Sequence, residues 1–161
     1  MDTTKQRLEN KVSVVIGGST GFGKATVELF SEHGARVVVV GRRKDLAEQV
    51  AQEFGGKGFG CDVVEDDQVK NLVDSVLETE GTIDVVVNYA GYQESRRIRE
   101  LTPEHVHPMV EVQLIGALQV IQHFGNAMAS NGGGSIISTS SLTAHIPSTG
   151  HPVYAACKRG L

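Results

Sequence analysis

Four short apolar runs, at residues 12–16, 36–40, 83–87 and 135–138, narrow the folds open to this chain more than any other feature. Each is continuous rather than alternating, as expected of strands covered on both faces in a parallel sheet. A fifth candidate at 57–61, KGFGC, is short and rich in glycine, which suits an edge. Helical patterns lie between the runs. Residues 24–32 carry Ala25, Val27, Leu29 and Phe30, and residues 45–54 carry Leu46, Ala47, Val50 and Phe54. Residues 68–77 place Val69, Leu72, Val73, Val76 and Leu77 at helical spacing, with Glu65, Asp66 and Asp67 ahead to complement the helix dipole. Pro103 opens a longer pattern reaching to about Ala129, and a last helix starts near Pro152. The alternation of strand and helix predicts a doubly wound α/β sheet with right-handed crossovers.

The 161 residues suffice for one domain with a real core. With 15 Lys and Arg against 19 Asp and Glu, the net charge of -4 offers no basic excess for nucleic acid or an anionic membrane. A small-molecule partner is expected instead. No run approaches the roughly 18 apolar residues of a membrane span. Residues 1–11 carry Asp2, Lys5, Arg7 and Glu9 rather than an apolar leader core, so a cytoplasmic location is expected. Cys61 and Cys157 lack C-x-x-C spacing and read as reduced thiols. His105 and His107, between Pro103 and Pro108, read as exposed positions at the start of the long helix, and no metal is expected. The mixed-charge run from Glu94 to Glu100 reads as a solvated loop.

Run 12–16 passes directly into Gly17-Gly18-Ser19-Thr20-Gly21-Phe22-Gly23 and then into a helical pattern. A strand entering a helix through glycine lets the backbone approach a pyrophosphate, whose charge rests on free N–H groups at the helix N-terminus. The plain alternative is a tight turn that needs positive φ. The spacing is G-x-x-x-G-x-G rather than G-x-G-x-x-G.

Further features join this turn. Asn88-Tyr89-Ala90-Gly91 follows the fourth strand and is similar to N-N-A-G, and the fifth strand reads GSIISTSS over residues 134–141. Tyr154-Ala155-Ala156-Cys157-Lys158 matches Y-x-x-x-K, and Ser141 precedes Tyr154 by 13 positions. Asp62 and Val63 follow the third strand. In this order and context the chain resembles the short-chain dehydrogenase/reductase family from about Arg7 to its last residue.

The resemblance implies a Rossmann-like sheet that binds a nicotinamide dinucleotide. Gly17, Ser19, Thr20, Gly21, Phe22 and Gly23 would receive the pyrophosphate side, and Asp62 and Val63 the adenine. Asn88, Ala90, Gly91, Tyr154 and Lys158 would also bind the cofactor. The family's NAD-binding members carry an acidic residue at the end of the second strand, whereas this chain reads Gly41-Arg42-Arg43-Lys44. Arginine pairs bidentately with phosphate oxygens, so Arg42, with Arg43 beside it, favours NADP(H).

Tyr154 and Lys158 are four residues apart and share one helix face. A free phenol titrates near pH 10, and a neighbouring ammonium favours the phenolate. By resemblance Tyr154 is the general acid in carbonyl reduction and the general base in the reverse direction. Lys158 would assist it and bind the nicotinamide ribose, while Ser141 would hydrogen-bond the substrate oxygen. Gln113 stands where the family has an Asn that supports a proton relay, with the same amide on a longer arm. Ile16 and Tyr89 are milder departures, replacing a Thr and the second Asn of N-N-A-G. His145 and His151, between Ser141 and Tyr154, are candidates for a substrate-pocket wall.

Members of the family are longer and carry further strands. The resemblance therefore implies about five strands here, with the C-terminal strands missing, in a domain truncated at Leu161. Two readings follow. One is an NADP(H)-dependent oxidoreductase interconverting a carbonyl and an alcohol, whose full-length parent forms homo-oligomers. The other is a catalytically silent, truncated nucleotide-binding fragment or isoform.

Overall fold

The computed structural model describes residues 6–146 and 149–161. The N-terminal charges at Asp2 and Lys5 lie outside the described residues, as do Pro147 and Ser148 in the loop between Ser141 and Tyr154. The elements are β1 (Val12–Ile16), α1 (Gly21–Glu32), β2 (Arg36–Gly41), α2 (Lys44–Glu53), β3 (Lys57–Gly60), α3 (Asp66–Glu80), β4 (Val85–Asn88), α4 (Pro103–Val110), α5 (Gly116–Ser130), β5 (Ser135–Ser138) and α6 (Pro152–Gly160). All strand pairs are parallel, in the order β3-β2-β1-β4-β5. The sheet is Rossmann-like, with the Gly-rich third strand at one edge.

The valine-rich strands are buried on both faces because successive side chains point to opposite sides. Val14, Ile16, Val38, Val40 and Val86 pack with Val69, Leu72, Val73 and Val76 of α3 and with Val120, Phe124 and Met128 of α5. Val15, Val37 and Val39 face the other way, onto Val27 of α1 and Ala47, Val50 and Ala51 of α2. Each such side chain contributes roughly 1.5–3 kcal/mol when fully removed from water.

The glycines of β3 have a steric role beyond its place at the edge. A Cβ on Gly58 would stand 2.4 Å from the Cα and N of Glu48, so α2 lies directly on the strand backbone.

Strand β4 starts two residues later than the apolar run. Ile83 is buried in the core ahead of it, and Asp84 turns its carboxylate back to the start of β1. Burial acts to raise the Asp84 carboxyl. Hydrogen bonds from Lys11 Nζ at 2.8 Å and the Val12 N–H at 2.9 Å, with Arg36 nearby, outweigh it and hold the group below the usual carboxylate range.

The long helical pattern is one track in three parts. Between α4 and α5 the segment Glu111–Ile115 is π-helical, just after Pro108 removes a backbone donor from the ladder. This widening is where α6 packs, against both α4 and the π segment.

In the strand order, β1 is followed on one side by β2 and on the other by β4. The connections therefore diverge at the C-terminal ends of β1 and β4, where open α/β sheets leave a crevice for ligands.

Candidate functional site

The turn after β1 is tied to β2 through the Gly17 and Gly18 N–H groups, which both donate to the Val40 carbonyl at 2.8 and 3.1 Å. Helix α1 starts inside the glycine run. Lys24 N–H is the first to reach back, to the Thr20 carbonyl, and no acidic residue occupies the first turn. Its leading N–H groups and the positive end of its dipole are thus available to an anion. Gly23 lets the helix sit against the turn, because a Cβ there would stand 2.0 Å from the Gly17 carbonyl oxygen. Ser19 Oγ is buried without a hydrogen-bond partner where the turn passes Gly41.

A cavity of about 920 Å³ runs from this turn across the ends of the strands to α6. Gly17, Ser19, Thr20, Gly21, Phe22 and Gly23 line its start, and Arg42 and Arg43 stand exposed beside them. Asp62 and Val63 follow, then Ala90 and Gly91, Gln113, and finally Tyr154 and Lys158. The sequence motifs are therefore brought to one continuous wall.

Two of the expected residues, Asn88 and Ser141, are not among those that line the cavity. Asn88 is 4% exposed. Its Oδ1 accepts from Ala90 N–H at 2.9 Å, and its carbonyl accepts from the Thr139 hydroxyl at 2.9 Å, so it fastens the loop after β4 to the end of β5. Ser141 caps a short 3-10 turn, Leu142–Ala144, and its Oγ accepts from the Thr143 N–H at 3.2 Å and the Thr143 hydroxyl at 2.9 Å. Among the hydroxyls of the S-T-S-S run, Thr139 and Ser140 line the cavity.

Lys158 is buried, at 7% exposure, and its Nζ donates to the Thr139 carbonyl at 2.6 Å. The ammonium lies 5.8 Å from the centroid of the Tyr154 ring. Burial pulls the Lys158 pKa below the ordinary lysine value, and the Ser140 hydroxyl holds the same turn of α6 by donating to the Lys158 carbonyl at 3.1 Å. Gln113 sits in the π segment at 3% exposure. Its Nε2 donates to the Tyr92 carbonyl, while its Oε1 is buried without a partner in the cavity wall.

The wall also includes residues that motif reading passed over, among them Cys61, Tyr89, Tyr92, Gln93 and Val112. All but Val112 lie at or just beyond the C-terminal end of a strand, which is the signal that could have found them. Burial, then the charge of Asp62, pushes the Cys61 thiol up to about 11. His145 and His151 do not line this cavity. His145 Nδ1 lies 3.2 Å from Arg159 Nη1.

Among the described residues no group of three or more His, Cys, Asp or Glu could hold a metal, and no helix is long and apolar enough to cross a membrane.

The family model for short chain dehydrogenases matches residues 11–161. Tropinone reductase-like 1 of Erythroxylum coca is 36% identical over 97% of this chain and 60% of its own length. Secoisolariciresinol dehydrogenase of Forsythia intermedia is 31% identical over 97% of this chain and 58% of its own. The crystal structure of gox2181 superposes with a TM-score of 0.93 at 28% identity, covering 99% of this chain and 65% of that one. The chain thus spans about three fifths of the length of the curated relatives it matches.

Proposed function

Because the chain belongs to the short chain dehydrogenase family, we propose that the protein is an NADP(H)-dependent oxidoreductase interconverting a carbonyl and an alcohol. The observation that carries this reading is the single cavity joining the glycine turn to Tyr154 and Lys158.

The residues present fit a dinucleotide. The first turn of α1 offers unpaired N–H groups, Ser19 Oγ is a buried hydroxyl without a partner, and Gly23 lets the start of the helix sit directly against the turn. The glycine turn would hold the pyrophosphate, Arg42 and Arg43 the 2′-phosphate, and Asp62 and Val63 the adenine side. Ala90 and Gly91 would line the wall beyond, with Asn88 supporting them from behind. When bound, the nucleotide donates or accepts the hydride.

The proton is the protein's part. Tyr154 delivers it to the carbonyl oxygen in reduction and removes it from the alcohol in oxidation. Lys158, one helical turn away, would bind the nicotinamide ribose. The Ser141 oxygen already accepts two hydrogen bonds, which leaves its own O–H to donate to a substrate oxygen. Gln113 spends its NH2 on Tyr92 and keeps Oε1 as an acceptor for water or a substrate hydroxyl. Leu118 and Ile121, exposed on α5, support the expectation of a homo-oligomer.

The test is NADPH consumption against a panel of carbonyl compounds, alongside a nucleotide titration. Y154F is expected to bind NADPH as the parent does while turnover falls about 10²–10⁴-fold. Binding without turnover by the unmodified chain would favour the silent nucleotide-binding reading, and absence of NADP(H) binding would defeat both.

A further inference from the structure

We infer that Tyr89 is a positioning residue that fixes the glycine turn and the first turn of α1 for the nucleotide, an inference that rests on the dinucleotide reading above. Tyr89 is half-buried just beyond β4. Its N–H donates to the Ile16 carbonyl at 2.8 Å, extending the β1–β4 ladder by one rung. Its ring packs beside the cluster of Val15, Val27 and Val39 and borders the cavity. Oη lies 2.9 Å from Thr26 Oγ1 on α1, and Thr26 Oγ1 lies 2.9 Å from the Phe22 carbonyl, to which it donates.

The direction of this chain follows from counting hydrogens. A threonine hydroxyl has one, and Thr26 gives it to Phe22, so the Tyr89 hydroxyl is the donor to Thr26. The relay runs from the end of β4 into the first turn of α1, whose N–H groups face the cavity. At the other end of the glycine run, a Cβ on Gly17 would stand 3.1–3.2 Å from the Tyr89 carbonyl carbon and Cβ. Tyr89 therefore leaves no room for a side chain at the first glycine of the run and holds its far end at Phe22 through Thr26. An Asn at this position is too short to span the same distance, so the substitution that departs from N-N-A-G carries its own structural role.

Y89F keeps the ring and removes the donor, and T26V removes the acceptor. Two readouts decide the inference. In nucleotide-free protein, amide hydrogen exchange at residues 21–26 is expected to accelerate in both variants. In NADPH titrations the Kd is expected to rise about 3- to 10-fold in Y89F, the range for losing one hydrogen bond, and at least as much in T26V, which also loses the bond to Phe22, while the double variant should be no weaker than T26V. In steady state the change should appear in the KM for NADPH, with kcat kept. Unchanged exchange, an unchanged Kd beside a lowered Tm, or additive losses in the double variant would each overturn the assignment. Failure of the parent protein to bind NADPH would instead overturn the dinucleotide reading, and the exchange data would still decide whether the relay orders the turn.

Discussion

Replacing Gly23 by Ala tests the geometry of the turn directly. The added Cβ would stand 2.0 Å from the Gly17 oxygen, 2.7 Å from the Gly17 carbonyl carbon and 2.9 Å from the Gly18 Cα. A carbon approaches a carbonyl oxygen comfortably at about 3.3 Å, so α1 and the turn must separate by roughly 1 Å. All three neighbours are backbone atoms, and no side-chain rotation relieves the contact. Overpacking of this kind costs about 1–3 kcal/mol of stability. A displacement of about 1 Å in a positioned site can cost a hundredfold. G23A is therefore expected to lose NADPH affinity by about two orders of magnitude.

The matched control is G81A, at the left-handed C-cap of α3 with φ at 79° and open space around the new methyl. It pays about 1–2 kcal/mol of backbone strain far from the cavity. Urea unfolding and NADPH titration of both variants separate the two effects: similar losses of stability, but a binding defect in G23A alone. Parent-like affinity in G23A, or an equal binding loss in G81A, would refute the argument that the helix start is placed by backbone contact.

Two further outcomes follow from charge. R42D should lower the ratio of kcat/KM for NADP(H) over NAD(H) by about 10- to 100-fold, the worth of a charge-assisted contact to phosphate, and an unchanged ratio would remove Arg42 from cofactor selection. Asp84 has its folded pKa lowered, so its stabilisation is present above the unfolded value near pH 4 and is lost as pH falls through the folded value. D84N should thus cost about 1 kcal/mol at neutral pH and flatten the acid limb of stability measured by urea unfolding, whereas parallel pH profiles would contradict it.

The strands were legible because being covered on both faces leaves a continuous apolar run, and 12–16 and 135–138 coincide with β1 and β5. Boundaries slipped where a residue's burial and its backbone pairing part company, as at Ile83, which is core without being strand. Helix α1 starts at Gly21, three residues before its apolar periodicity, because the glycines of the turn also form its first turn. The π segment leaves no trace in a 3.6-residue pattern, since it depends on which carbonyl each N–H selects. The motifs located the wall of the site but could not sort the hydroxyls of residues 138–141. Which of them faces the cavity depends on the backbone path after β5, and the structure gives that wall to Thr139 and Ser140 while Ser141 bonds to Thr143. The Tyr89 to Thr26 link joins residues 63 positions apart and is visible only once β4 lies beside β1.

The strand order has a consequence for synthesis. Strand β1 can acquire β2 as soon as the αβ unit after it emerges, but its other edge waits for β4. Roughly 45 residues separate the end of β2 from the start of β4, which at about 5–20 residues per second is some 2–9 seconds of translation. Throughout that interval a strand that is buried along its whole length in the folded protein presents an open hydrogen-bonding edge to solvent or to a neighbouring nascent chain. The centre of the finished sheet is thus an edge while the chain is being made, and yield in the cell should depend on the rate at which residues 42–88 are made.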